Sequence, residues 1–342
     1  MSFLILPVKC ANYFTAERKM NATLNVAIAA EFELSEKIAE ALEKSKLHIQ
    51  QLSIVEIYPF SEEQGIRFNN KSVAQVKPEE MEWPECHYLF FAGDIQQVPH
   101  IAKAAEAGCL IIDMKGVCSV LNDVPVVVPT VNDAQLVELR QRNIVSLPDP
   151  QVTQLALAIY PLLENHNIRN VIVSSLLPAS YVSGETVGKL AGQTAQLLNG
   201  IPLDEDQQRL AFDVFPLPAN NLTAQMQKIF PHLDNVAFHQ IQVPVFYGLG
   251  QMVTLVSDYE MDAQVALSNW ADNMLLNYHS EKMITPVTNG EAESQEEIVK
   301  LHISALNTIE NGVQFWSVAD EQRFNLALMG VKLAELVYEQ GY

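Results

Sequence analysis

Few residues in this 342-residue chain are placed to do covalent or metal chemistry. Its four cysteines, Cys10, Cys86, Cys109 and Cys118, are scattered without paired spacing. That is the usage of reduced thiols in a cytoplasmic protein, not of a disulfide framework. Neither a CxxC pair nor an HExxH helix occurs, so no zinc or other metal site is expected. Gly184 and Lys189 resemble part of a phosphate loop, but their spacing does not match G-x-x-x-x-G-K-[ST]. Gly184, Gly188 and Gly192 recur every fourth residue and read as a small helix face for close packing. Pro148-Asp149-Pro150 is a helix start: Asp149 supplies an N-cap and Pro150 suits the first helical position. Cys118 is a candidate nucleophile, although buried free cysteine is the commoner state.

Lys and Arg total 21 against 41 Asp and Glu, a formal charge of −20. With no Lys/Arg cluster, such a chain is a poor partner for nucleic acid or an anionic membrane surface. Hydrophobic residues make up 49% and charged residues 18%, enough for a full core. No apolar run is long enough to span a bilayer, and the stretch at the N-terminus is too short for a signal peptide. A cytoplasmic location follows as an expectation.

The elements that must position any site begin at Leu24. Leu24–Ala30, Leu52–Pro59, Cys86–Gly93 and Cys109–Met114 read as apolar strands, with Val124–Asn132 following. Helical stretches after Ser35 and over Pro99–Ala107 alternate with them. Strands apolar on both faces, alternating with helices, predict a parallel sheet covered on both sides. This is a Rossmann-like domain over 24–148. A helix after Pro150, a strand at NVIVSSLLP and a helix over Gly184–Gly200 follow. RLAFDVFPL, FHQIQVPVFYG and QMVTLVSDYEM predict longer strands of a mixed or antiparallel sheet. Thr285–Glu297 reads as an acidic loop, and residues 319–342 as one long amphipathic helix. Residues 1–23 form an extension, unless translation starts at Met20.

Five blocks occur in a fixed order: VVVPTVN, IVSLPDPQVTQLALAIYPL, YVSGETVGKLAGQTAQLLNG, QVPVFYG and ENGVQFWSVADEQRFNLAL. Together they resemble the aspartate-β-semialdehyde dehydrogenase family over about Leu24–Val337. The resemblance implies a nucleotide-binding domain, an α+β dimerisation domain over 149–318 that carries the active site, and a C-terminal helix returning to the first domain. It also implies a homodimer, with a heterodimer with an active paralogue as an alternative. The family's chemistry is a cysteine thioester, NADP as hydride carrier and phosphate as acyl acceptor. That chemistry requires a thiolate at a helix N-terminus, a histidine acid/base, cations for substrate anions and a glycine-rich turn for pyrophosphate.

At most of the matching positions this sequence departs from the pattern. The nucleophile of Pro-Asn-Cys falls on Pro150, and the asparagine on Asp149. The arginine of Arg-Val-Pro-Val falls on Gln242, and the histidine of Gly-His-Ser on Leu249. A second arginine falls on Ser119, the glutamine before Val-Ser-Gly on Ser180, and the glutamate of Glu-x-x-Lys on Gln225. Lys228 and Gly184 are retained. The cofactor turn Gly-Ala-Thr-Gly-Ala-Val-Gly reads Ala30-Glu31-Phe32-Glu33-Leu34-Ser35-Glu36, without glycine and with three carboxylates that repel phosphate. His239 lies on the wrong side of its strand to replace the lost imidazole.

With these departures, the resemblance implies a paralogue of Usg type with degenerate catalytic and cofactor motifs. No catalytic residue and no cofactor are expected. Asp149, Ser180, Gly184, Lys228 and Gln242 are left as vestigial cleft residues. The expected role is a dimeric scaffold or ligand-binding protein. The alternative is an active NAD(P)-dependent aldehyde dehydrogenase with Cys118 as a displaced nucleophile, in which case NADP or NAD would bind.

Overall fold

The computed structural model describes residues 23–61, 65–163, 166–218, 220–293 and 299–342. The extension, Cys10 and the Met20 start lie outside the described residues, Thr23 excepted.

The first sheet is built from β1 (Leu24–Ala29), β2 (Ile49–Val55), β5 (Ala74–Val76), β6 (Tyr88–Phe91), β7 (Leu110–Asp113) and β8 (Ile144–Ser146), with a small hairpin β3 (Arg67–Phe68) and β4 (Lys71–Ser72) inserted. The order is β5-β2-β1-β6-β7-β8, and every pairing is parallel. β1 shows why its sequence is continuously apolar. Val26 and Ile28 pack with Ile38 and Leu42 of α1 (Phe32–Glu43). Ala27 and Ala29 pack with Ile101 and Ala104 of α2 (Val98–Glu106) on the other face. From β1 the chain runs outward to β2 and β5, then returns to β6 on the other side. The crevice at the carboxyl ends of β1 and β6 is therefore the topological switch point, where open α/β sheets place ligands.

The second sheet follows α3 (Pro150–Leu163). Its strands are β9 (Ile168–Leu177), β10 (Phe215–Pro216), β11 (Val236–Gln242), β12 (Leu249–Ser257), β13 (Leu276–His279), β14 (Leu301–Ile309) and β15 (Gly312–Ala319). They lie in the order β10-β11-β9-β12-β15-β14-β13. Two pairings are parallel, β11 with β9 and β13 with β14; the rest are antiparallel. One face buries Val171, Val173, Val253, Leu255, Val313 and Phe315 in the core that also holds α3. Helices α4 (Ala179–Val182), α5 (Gly184–Leu198), α6 (Leu222–Ile229), α7 (Ala263–Ala271) and α8 (Pro286–Glu293) fill the connections. The chain ends in a π-helical segment, Glu321–Leu328, and α9 (Met329–Glu339). Both pack against α1, and the Tyr88 hydroxyl donates to the Tyr342 carbonyl at 3.1 Å.

Five expectations are corrected. Val124–Asn132 is not a strand: only Val126 bridges to Ser146, because Pro125 and Pro129 lack the N–H a ladder needs. The edge of the sheet is β8 instead. RLAFDVFPL shrinks to the two residues of β10; Phe212 sits at φ 60°, which breaks an extended run. The start of Thr285–Glu297 is helical, not a loop. Thr285 N–H donates to Thr288 Oγ1 at 2.8 Å, Thr288 N–H donates to Thr285 Oγ1 at 3.2 Å, and Pro286 opens the helix. The last helix is wound as π over its first eight residues. A Cβ at Gly188 or Gly192 would meet nothing within 4 Å, so that glycine face is not tightly packed.

Candidate functional site

A cleft of about 250 Å³ lies between the two sheets. Glu31 and Asp94 line it from the switch point, Lys115 and Val117 from the turn after β7, and Asp149 and Pro150 from the head of α3. Ser180, Tyr181, Val182 and Ser183 line it from the second sheet's side, and Glu321, Gln322 and Leu326 from the C-terminal segment.

Pro150 is the first residue of α3, and Asp149 precedes it. One Asp149 carboxylate oxygen accepts from Gln151 N–H at 2.9 Å, and the other accepts from the Tyr181 hydroxyl at 2.7 Å. The Asp149 carbonyl accepts from Val152 and Thr153 N–H, both at 2.9 Å. The helix end that would polarise a thiolate is thus turned onto the protein's own carboxylate. Burial raises the Asp149 pKa to about 6, against the opposing pull of the Tyr181 and Gln151 hydrogen bonds and of the Lys115 charge.

Ser119, Gln225 and Lys228 come together behind this point. Gln225 Oε1 accepts from Asp149 N–H at 2.8 Å, and Gln225 Nε2 donates to Ser119 Oγ at 3.1 Å. Lys228 Nζ donates to the carbonyls of Ser119 and Leu121 at 2.6 and 2.7 Å. Its ammonium is spent on backbone oxygens outside the cleft lining, and desolvation lowers its pKa. Gln242 also lies outside the cleft: its amide donates to Leu177 O at 3.1 Å, and it lines a separate cavity against α5. Leu249 is fully buried, and its carbonyl accepts from Gln154 at 3.3 Å. Of the five vestigial residues, then, the cleft gathers Asp149 and Ser180, with Gly184 at its margin. Lys228 and Gln242 face elsewhere.

Sequence reasoning missed Glu321. It is 1% exposed, accepts from the Ser180 hydroxyl, and accepts from Gly248 N–H at 2.9 Å. Burial and the neighbouring Asp320 raise its pKa to about 7. Nothing local marks it among 41 acidic residues; only the tertiary arrangement buries it. Tyr181, Gln151 and Lys115 were missed for the same reason.

Cys118 is 3% exposed and packs in the core between the first sheet and α2. Its N–H donates to Asp113 at 2.7 Å, and burial with the Asp113 charge pushes the thiol pKa well upward. His239 is exposed on β11, with Nδ1 3.3 Å from Ser174 Oγ. Neither lines the cleft. Among the described residues no group of three or more His, Cys, Asp or Glu could hold a metal ion. The residues at the switch point do not fit a dinucleotide. Ala30 is fully buried, and the Glu31 carboxylate accepts from Gly184 N–H at 3.2 Å, filling a helix head that a phosphate would use. The cleft is also smaller than the roughly 300–1,000 Å³ of pockets that enclose drug-sized ligands.

A parallel switch-point sheet joined to a mixed sheet through α3 is the architecture of the aspartate-semialdehyde dehydrogenases. Aspartate semialdehyde dehydrogenase II from Vibrio cholerae superposes with a TM-score of 0.85 at 26% identity, over 94% of this chain and 100% of that one. The Candida albicans enzyme solved with NADP shares the fold alone, with a TM-score of 0.70 at 13% identity. In sequence, aspartate-semialdehyde dehydrogenase 2 of Vibrio cholerae is 28% identical over 337 residues, 93% of this chain and 98% of that one. The USG-1 protein homolog of Haemophilus influenzae is 64% identical over 323 residues, 94% of this chain and all of that one. No family model matches. The chain belongs to the aspartate-semialdehyde dehydrogenase family, as a paralogue of the USG-1 type.

Proposed function

We propose that this protein is a non-catalytic member of its family that acts as a dimeric scaffold or ligand-binding protein. The observation that carries this reading is the head of α3. There a proline without nucleophile or N–H occupies the position the resemblance gives to the cysteine, and the adjacent carboxylate closes on its own helix. A covalent mechanism loses its whole advantage with its nucleophile. The uncharged residues at the other matched positions support the same reading. Ser119, Gln225, Gln242 and Leu249 stand where charge and proton transfer would be needed, and amide hydrogen bonds satisfy that region instead.

The alternative, an NAD(P)-dependent dehydrogenase using Cys118, has less support. A thiol held protonated beside Asp113, away from the cleft and from any imidazole that lines it, is a poor nucleophile. The homodimer is proposed on the open face of the second sheet, where Ile172 and Met252 are 40% and 43% exposed. The buried, free Cys86, Cys109 and Cys118 support a reducing, cytoplasmic setting. Among the described residues no helix is long and apolar enough to cross a membrane.

The test is phosphate-dependent NADP reduction with aspartate semialdehyde on purified protein of established oligomeric state. The expected result is no turnover above the blank. Clear turnover that disappears in Cys118→Ser would overturn the reading and establish displaced chemistry.

A further inference from the structure

We infer that the turn and first helical turns at residues 31–37 are an interdomain clamp, in which the Glu31 carboxylate takes the place of a bound anion at the head of α5. The inference does not depend on whether the cleft turns over a substrate.

Glu31 precedes α1, yet its side chain makes no capping bond to its own helix. Instead Oε2 accepts from the N–H of Gly184, the first residue of α5, 153 positions away in the chain and in the other domain. A Cβ on Gly184 would stand 3.3 Å from that oxygen, so a larger residue there would push the carboxylate back by a few tenths of an ångström. Ser183 caps the same helix by accepting from Thr186 N–H at 3.1 Å. The two side chains therefore cover different N–H groups of one helix head, with no duplication. A carboxylate at this position lies at the favourable end of the helix dipole, which Glu185 of the first turn also shares.

Two further contacts start from the same short segment. The Tyr247 hydroxyl donates to Glu33 at 3.4 Å. The Lys37 ammonium lies 5.1 Å from the centre of the Tyr247 ring and donates to Gln322. Three side chains within seven residues thus reach α5, the loop before β12 and the π-helical segment. Each contact alone is a partly exposed polar bond of modest strength. The contacts to Gly184 and Tyr247 reach the second sheet's side and oppose opening of the crevice, while the bond to Gln322 ties the same segment to the C-terminal segment packed on α1. In the resemblance this turn approaches a pyrophosphate; here its Glu31 carboxylate reaches the other domain from the protein's own chain.

Hydrogen exchange followed by mass spectrometry on the full-length protein tests this, comparing wild type with Glu31→Ala, Glu31→Gln and Glu40→Ala. Glu40 is exposed on the same helix. Circular dichroism at the start confirms that each variant is folded, as expected for sites that are not fully buried. In Glu31→Ala the amides of 184–187 should exchange faster by about tenfold, equivalent to about 1.4 kcal/mol, and those of 246–248 should follow. Glu31→Gln keeps an acceptor without the charge and should lie between. Glu40→Ala should match wild type. Unchanged exchange at 184–187 in Glu31→Ala would overturn the clamp, as would equal acceleration in Glu40→Ala.

Discussion

Asp149 and Glu321 both line the cleft, and burial raises both, to about 6 and about 7. Raised acid pKa values mean that the folded chain holds protons the unfolded chain has already released. Their contribution to stability is therefore complete below the ordinary carboxylate range and is lost as pH rises through 6 and 7. Asp113, buried beneath the turn after β7 and hydrogen-bonded to Ser146 at 2.6 Å, is raised by burial and acts in the same direction. Burial lowers the His302 pKa to about 4, which opposes them, but the raised carboxylates outnumber it, and thermal unfolding at pH 5 and pH 8 should show the higher melting temperature at pH 5. Glu321→Gln keeps a carbonyl oxygen for Gly248 N–H and removes the ionisation, so the difference between the two pH values should shrink. A wild-type pH dependence in that variant would mean that Glu321 does not titrate in this range.

At the scale of elements, the loop between β11 and β12 is fixed by Gly248. Its φ is +95°, and a Cβ there would stand 2.8 Å from the Pro286 Cβ at the head of α8. Gly248→Ala should therefore cost about 1–3 kcal/mol from backbone strain, with the Pro286 collision adding to it, and should loosen the hydrogen bond to Glu321. Gly290, inside α8, faces open space, so Gly290→Ala should be neutral or stabilising by up to about 1 kcal/mol. Urea unfolding of the two variants checks the pair: a Gly248→Ala midpoint at or above that of wild type would contradict the argument. The two glycines also show what local sequence conveys. The Asp-Pro start of α3 and the apolar run of β1 were legible because cap chemistry and burial on two faces leave a local signature. The acidic composition of Thr285–Glu297 hid α8, although the threonine pair that caps it was present in the sequence. The strand expected over Val124–Asn132 failed because hydrophobicity outweighed two prolines that cannot join a ladder. Asp149, Ser180 and Glu31 were legible as departures from a pattern, whereas Glu321 becomes distinctive only when the C-terminal segment folds over the cleft.

At the scale of the whole molecule, the two sheets differ in how they are covered. The parallel sheet has clusters of buried side chains on both faces, as its continuous apolar strands require. The mixed sheet alternates. Along β9 and β12, Val171, Val173, Val253 and Leu255 are buried, while Ile172, Leu176, Thr254 and Val256 face the other way and stay partly or fully exposed. The register places Met252 beside Ser174 and Thr254 beside Ile172, with Ile241 of β11 beside Leu176, so these residues form one continuous surface. A contiguous, largely apolar sheet face of this kind marks an association surface more readily than scattered exposed residues do. A second copy packed face to face would cover it with the same residues, as two-fold symmetry allows. If the proposed homodimer uses this face, sedimentation of wild type should give the mass of two chains. Ile172→Arg and Met252→Arg should each give one chain with the fold retained, since both positions lie outside the core. A single-chain mass for wild type would remove the homodimer. A two-chain mass in both variants would move the interface elsewhere and leave this face for a different partner, the paralogue included.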